Sequence, residues 1–422
     1  MSSRRDVVTA LASSGLFLPG PGWLNATRRW SGRTAAKRFR VRAITAGVTI
    51  KSAADLKPIE AALQVLGRAK QAFTDAGYEV QTTRIATNPV LSGMSAAARR
   101  QVLPELEALD QAVAAGGSVL SIGPVRTDNA ADPELPEWAA ELVTRTSRIS
   151  FSVVVASPER GIHRVNLATA AEVMVALSRA IPGGGANFRF AASANIPAGT
   201  PFFPVAYHGG ADSLAIGLES PLLLLDAFTG AQDVEDGARR LRTALNEALA
   251  PVERLGSELA RREGRVYLGI DPSPAPGMDS SIGAAIEALT HVPFGGGSTL
   301  DACAAITAVL KAVQVKTCGY AGLMLPVLED PVLAKRADEQ RYGLRELLLY
   351  SSVCGTGLDV VPIPGDTSRE SLIRVIGDVA ALSARLRKPL SARLFLVPGK
   401  KVGETAHFDD PLLTDSAVFK VE

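Results

Sequence analysis

Short β-branched runs alternate with longer amphipathic ones from Val41 onward, and that alternation is the first thing the chain offers. "VRAITAGVTI" and "EVQTTRIAT" read as strands on either side of "LKPIEAALQVLGRAKQAFTDAGY", whose apolar positions recur at helical spacing. "AARRQVLPELEALDQAVAAGG" predicts a helix closed by glycines. "SVLSIGP", "ISFSVVVAS", "FRFAASAN", "SLAIGLE", "RVYLGID", "LDVVPI", "SARLFLV" and "SAVFKVE" predict further strands. Helices are expected over 234–263, in "SIGAAIEAL", "TLDACAAITAVLKAV" and "LRELLLYSS", and in "SRESLIRVIGDVAALSARLRK". The strands look apolar throughout, the pattern of a sheet covered by helices on both faces. About ten strands interleaved with helices argue for one large α/β unit. "IPAGTPFFPVAYHGG" falls mid-chain and reads as a long site-forming loop rather than a linker.

Composition changes this picture little. The chain has 422 residues, 47% hydrophobic and 21% charged, and a net charge of +2. The charge is unevenly placed, because residues 1–42 hold nine Lys/Arg and one acid. The body is therefore mildly acidic, which excludes the clustered basic face of a nucleic-acid binder. Three cysteines, Cys303, Cys318 and Cys354, are too few for a disulfide framework and fit no zinc spacing.

The first 40 residues read as a leader. Arg4 and Arg5 precede a weakly apolar run, Val7 to Leu18, of 12 residues. That is short of the roughly 20 needed to span a bilayer, so no membrane span is expected. Paired arginines before such a run resemble a bacterial twin-arginine export signal. The expectation is an exported protein handled by twin-arginine machinery, with residues 1–40 outside the fold and 41–422 as a single domain; the alternatives are a basic arm and an organellar transit peptide.

Four stretches together, "CGTGLDVVPIPGDT", "GIDPSPAPGMDSSIGAAIEAL", "PVAYHGGADSLAIGL" and "SARLFLVPGKKVGETAHFDD", resemble an uncharacterised bacterial and archaeal family known as domain of unknown function 711. The resemblance covers nearly the whole body. It implies an α/β barrel of about ten strands ringed by helices, similar to those of pyruvate formate-lyase and ribonucleotide reductase. "VPGKKVGETAHF" resembles no glycyl-radical motif and no adjacent cysteine pair exists, so the radical chemistry of those enzymes is not implied.

Candidate chemistry gathers at strand ends, where ligands bind in α/β sheets. Asp271 follows "RVYLGI" on a loop stiffened by prolines and suits a general base or a ligand, with Ser273 beside it. Its competing role, capping the helix near Ser280, falls more naturally to Asp279. His208 stands in the Gly-rich "AYHGGAD" with Asp212 four residues on, a pairing for acid–base work. "FGGGSTLDA" presents Gly296, Gly297, Ser298 and Thr299 at a helix start that could take an anion; the alternative is a plain cap with Asp301. Asp359 either faces a barrel lumen or pairs with a basic group. Asp366 and Thr367 read as a helix cap. Cys354 is the one element of its motif with potential reactivity.

The expected function is acid–base or metal-assisted chemistry, hydrolase or lyase in type, on a small polar ligand. A non-catalytic anion or metal binder and an oligomeric scaffold are the alternatives. A divalent metal would need carboxylates to complete its ligands, and no nucleotide-cofactor motif is evident. The protein could also be a homo-oligomer.

Overall fold

Five strands lie side by side and parallel in the computed structural model, which describes residues 38–422. They are β1 (Arg40–Val48), β2 (Val80–Thr87), β3 (Ser118–Arg126), β4 (Ile149–Ser157) and, after a short β5 (Gly161–Ile162) folded back on β4, β6 (Phe190–Ala194). On the outer side of β1 the direction reverses, and β7 (Ser213–Glu219) pairs antiparallel with it, Ile44 opposite Ile216. β8 (Val266–Pro274) runs parallel to β7. At the other end β10 (Leu390–Val397) pairs antiparallel with β6, and β9 (Gly357–Pro364) lies parallel to β10. The resulting order is β8-β7-β1-β2-β3-β4-β6-β10-β9, with β5 attached to β4.

The strand pairings do not by themselves close this ladder into the expected barrel. Between the edge strands β8 and β9 stand two isolated parallel bridges, Ile270 to Thr317 and Pro326 to Asp359. The intervening segment turns rather than extends: Gly319 and Ala321 both take positive φ, and Pro326 has no N–H to give. The predicted C-terminal strand is also reduced, to a two-residue pairing of β11 (Thr405–Ala406) with β12 (Ser416–Ala417).

Helices cover one face of the sheet. α1 (Leu56–Asp75) buries Ile59, Leu66 and Phe73 in one hydrophobic cluster with Ile44, Ile85, Leu120 and Leu394 of the strands. The single helix predicted after it is two, α2 (Ala96–Gln101) and α3 (Leu103–Ala115), because Pro104 cannot continue a hydrogen-bonded ladder and instead sits in a first turn. α4 (Leu135–Arg145) and α5 (Arg164–Ala180) come next, neither of them singled out by the sequence pattern. α6 (Pro221–Phe228) and the long α7 (Val234–Arg262) follow, then α8 (Ile282–Thr290), α9 (Thr299–Lys311), α10 (Pro331–Asp338), α11 (Leu344–Tyr350) and α12 (Arg369–Leu386).

The opposite face is not covered by helices as expected. Residues of the 195–212 connection lie against it: Thr45 donates to Pro201 O, Ser121 to Ala206 O, and Phe202 packs where a Cβ on Gly217 would stand. Thr45, Ser121 and Gly217 on this side are small or polar, whereas Phe395 and Val397 of β10 pack in a separate apolar cluster with Phe408. Residues 38–422 form one unit. The leader expectation falls outside the described residues, among which no helix is long and apolar enough to cross a membrane.

Candidate functional site

Asp271 and Ser273 are brought together on the last turn of β8, but as a fastening. Asp271 is fully buried and accepts from four donors: Ser273 N–H (3.1 Å), Ser273 Oγ (2.6 Å), Tyr320 N–H (2.8 Å) and Ala321 N–H (3.1 Å). Ser273 Oγ in turn accepts from Gly322 N–H at 3.0 Å. Burial raises the Asp271 pKa to about 6, with those hydrogen bonds holding it down. Gly319 is needed at its position because a Cβ there would strike the Asp271 carboxylate. The carboxylate therefore ties the 319–322 turn to β8, and both its oxygens are engaged.

His208 is buried at the opposite end of β7. Its Nε2 lies 3.0 Å from Gly210 O and its Nδ1 3.5 Å from Ser213 Oγ, while its backbone N–H donates to Thr87 O. Burial lowers its pKa. Asp212 is half-exposed and faces Arg265 at 3.5 Å, making no hydrogen bond to the imidazole. β7 places Ser213 beside His208 and Gly217 opposite Asp271, four residues along, or about 13 Å at strand rise. The structure thus does not assemble His208, Asp212 and Asp271 into one constellation.

The other sequence candidates lie elsewhere. Gly296, Gly297 and Ser298 form a surface turn in which Gly296 N–H donates to Pro293 O, and Thr299 Oγ1 accepts from Gly295 N–H. Cys354 is buried near Cys303, with its carbonyl accepting from Lys388 Nζ. Cys318 instead neighbours Asp271, and all three cysteines are free thiols. The expected caps shift by two residues. Ser281, not Asp279, caps α8, and Asp279 pairs with Arg40. Ser368, not Asp366, caps α12. A residue the sequence gave no reason to choose, the buried Asp330, accepts from the first N–H groups of both α8 and α10.

A second cluster, unmarked in the sequence reading apart from Asp359, sits on the sheet face that lacks helices. Arg42 on β1 meets Glu219 at 3.2 Å and Glu329 at 2.9 Å. Arg393 on β10 donates to Asp359 Oδ1 at 2.8 Å, lies 3.5 Å from Glu329, and stacks over Phe188 with 4.9 Å to the ring centre. Arg84 on β2 is half-buried and stacks over Phe203 at 5.1 Å. Its Nε donates to Thr82 Oγ1 at 3.1 Å, and its two terminal nitrogens have no carboxylate or other hydrogen-bond partner among the described residues.

The electrostatics follow from this crowding. Burial, and then Arg42 and Arg393, push the Arg84 pKa down to about 9, so it stays charged at neutral pH. Asp359 is pushed up by burial and by Glu329, against the pull of Arg393. Chemically the cluster offers guanidinium forks for an anion and two buried carboxylates that can take or give a proton. Among the described residues no group of three or more His, Cys, Asp and Glu side chains could hold a metal ion. Surface hollows of about 350 and 470 Å³ are lined by other residues, such as Arg374 and Arg240, and share none with the cluster. The missed signal was an arginine midway along each of two otherwise apolar or β-branched runs, "QTTRIAT" and "SARLFLV".

Comparison with known proteins agrees with the motif resemblance. The family model of DUF711, described as an uncharacterised ACR, matches residues 34–409. A UPF0210 protein of Pyrobaculum aerophilum is 35% identical over 292 residues, covering 65% of this chain and 62% of that protein. UPF0210 proteins of Methanopyrus kandleri and Desulforudis audaxviator are each 28% identical, over 404 and 397 residues, covering 87% of this chain and 88% of theirs. The chain thus spans less than two thirds of the Pyrobaculum relative and most of the other two.

Proposed function

The chain belongs to the DUF711 family, described only as uncharacterised, and from that premise we propose that it is an enzyme acting by proton transfer on a small polar metabolite held at the Arg42, Arg84, Arg393, Glu329 and Asp359 cluster. The observation that carries this reading is Asp359. It is a buried carboxylate with a raised pKa, hydrogen-bonded at 2.8 Å to Arg393 and beside a second carboxylate, Glu329. A buried carboxylate raised in pKa and set beside a second carboxylate suits an acid–base pair. Hydrolase or lyase chemistry fits such a pair. His208, Asp212, Asp271 and Cys354 have no part in this reading.

The same proposal includes a closed barrel of the pyruvate formate-lyase type. β7, β8, β10 and β9 run one way and β1, β2, β3, β4 and β6 the other. The segment 317–326, bridged in parallel to both β8 and β9, would be the fifth member of the first set. The charged cluster would then lie in the lumen. Export remains part of the proposal through Arg4 and Arg5; replacing both by Lys in the full chain should keep the protein in the cytoplasm, and unchanged export would remove that part.

The test is a thermal-shift panel of small acids, amines, phosphates and divalent metals, followed by mass analysis of each compound that shifts the protein. A ligand at about 100 times its dissociation constant stabilises by roughly 2.7 kcal/mol. A stabilising compound that is also consumed, with turnover falling at least a hundredfold in Glu329→Gln while binding persists, is the expected outcome. Binding without any product would mean a binding protein, not an enzyme.

A further inference from the structure

Arg84 differs from the other two arginines of the cluster in one respect. Arg42 and Arg393 are each bridged to two carboxylates. Arg84, in register between Thr45 of β1 and Val119 of β3, is bridged to none among the described residues. Its orientation is nevertheless fixed. Thr82 Oγ1 accepts from Nε and itself donates to Arg42 O at 2.7 Å, while Phe203 covers a face of the guanidinium. What remains free is the edge carrying Nη1 and Nη2, the edge that pairs with a planar two-oxygen anion. A half-buried guanidinium with two other arginines as neighbours is offset here only through space by Glu329, with no direct ion pair among the described residues.

Resting on the reading of this cluster as the substrate site, we infer that Arg84 anchors a single carboxylate group of the small metabolite through its free guanidinium edge. A carboxylate fits better than a phosphate for two reasons. Its plane matches the fork, and Glu329 acts electrostatically on Arg84 closely enough to penalise a doubly charged group. The lowered Arg84 pKa is consistent with a site whose field favours one added negative charge.

The experiment titrates the full chain, and its Arg84→Gln, Arg84→Lys and Glu329→Gln variants, with glycolate, inorganic phosphate, and the neutral and cationic analogues glycolamide and ethanolamine. The expected result is saturable glycolate binding, at least tenfold weaker in Arg84→Gln. Arg84→Lys should recover only part, because a lysine restores charge without the fork. Equal glycolate affinity in wild type and Arg84→Gln overturns the assignment. Tighter Arg84-dependent binding of phosphate overturns the carboxylate class. Glycolamide or ethanolamine binding that Glu329→Gln abolishes and Arg84→Gln leaves intact removes the anchor but keeps the site. No binding by any of the four probes counts against both.

Discussion

Asp271 and Arg84 are charged side chains on strands of one sheet, and they differ in what their polar atoms do. Asp271 takes four hydrogen bonds, three of them from backbone N–H groups. Arg84 makes one side-chain hydrogen bond, through Nε, and its other nitrogens have no partner among the described residues. A buried polar group that is fully satisfied is explained by the fold it holds; a half-buried one with free donors is open to a ligand. The difference separates a fastening from a recognition group, and residue type or strand-end position alone would not.

The largest test of that contrast is Arg393, a cluster arginine that is paired. Arg393→Met should destabilise by about 3–5 kcal/mol in denaturant unfolding, because Asp359 is left buried without its ion-pair partner and Glu329 keeps only Arg42. A loss under about 1 kcal/mol would mean that the pairing is not what balances those acids.

Asp271→Asn should cost about 2–3 kcal/mol, since an amide cannot accept from all four donors and turns its own N–H₂ against one of them. Hydrogen exchange should quicken at Tyr320, Ala321 and Gly322. Unchanged protection there would break the fastening account.

Stability against pH sharpens it further. Asp271 is raised from an ordinary value near 3.8 to about 6. A raised carboxylate contributes stability that is full below its unfolded pKa and is lost as pH rises through the folded value. The stability difference between wild type and Asp271→Asn should therefore shrink by up to about 3 kcal/mol between pH 4 and pH 6. His208 and His163 act the other way, because burial lowers both. Their contribution is lost as pH falls below about 6.5. The variant comparison isolates Asp271 from them, and a difference that does not change with pH would contradict its burial.

The smallest expected effect is the most telling. Arg84→Gln should change stability by less than about 1 kcal/mol in either direction, since no ion pair is broken. A loss as large as that of Arg393→Met would show that Arg84 is structural.

Much of the architecture was legible because strand and helix periods are local. Nearly every β-branched run quoted became a strand, down to the closing "SAVFKVE", which kept only two paired residues. The failures were those of non-local contact. Asp330 caps α8 from 48 residues away, a distance at which no capping pattern operates. Asp279 and Asp366 looked like caps, but each stands two residues before the residue that does the capping. The site was harder still. Asp271, His208 and the "GGGST" turn attracted notice as polar residues among glycines and prolines, the composition that a tight turn needs whether or not it binds anything. Arg42, Arg84 and Arg393 were passed over because each sits inside a strand, where the side chain's face is decided by pairing partners that the sequence does not reveal. Asp359 was read as facing a lumen or pairing with a base, and it pairs with Arg393.

The segment between Thr317 and Pro326 touches both outermost strands, and this bears on how the protein behaves in a crowded solution. An outer strand with free N–H and C=O groups is a template on which a second chain can assemble, and proteins guard such strands with irregular cover. Here one irregular stretch, fastened in part by the Asp271 carboxylate, guards two. Loosening it would uncover both at once, so damage at Asp271 should surface as insoluble, self-associated protein before any change in chemistry is measured.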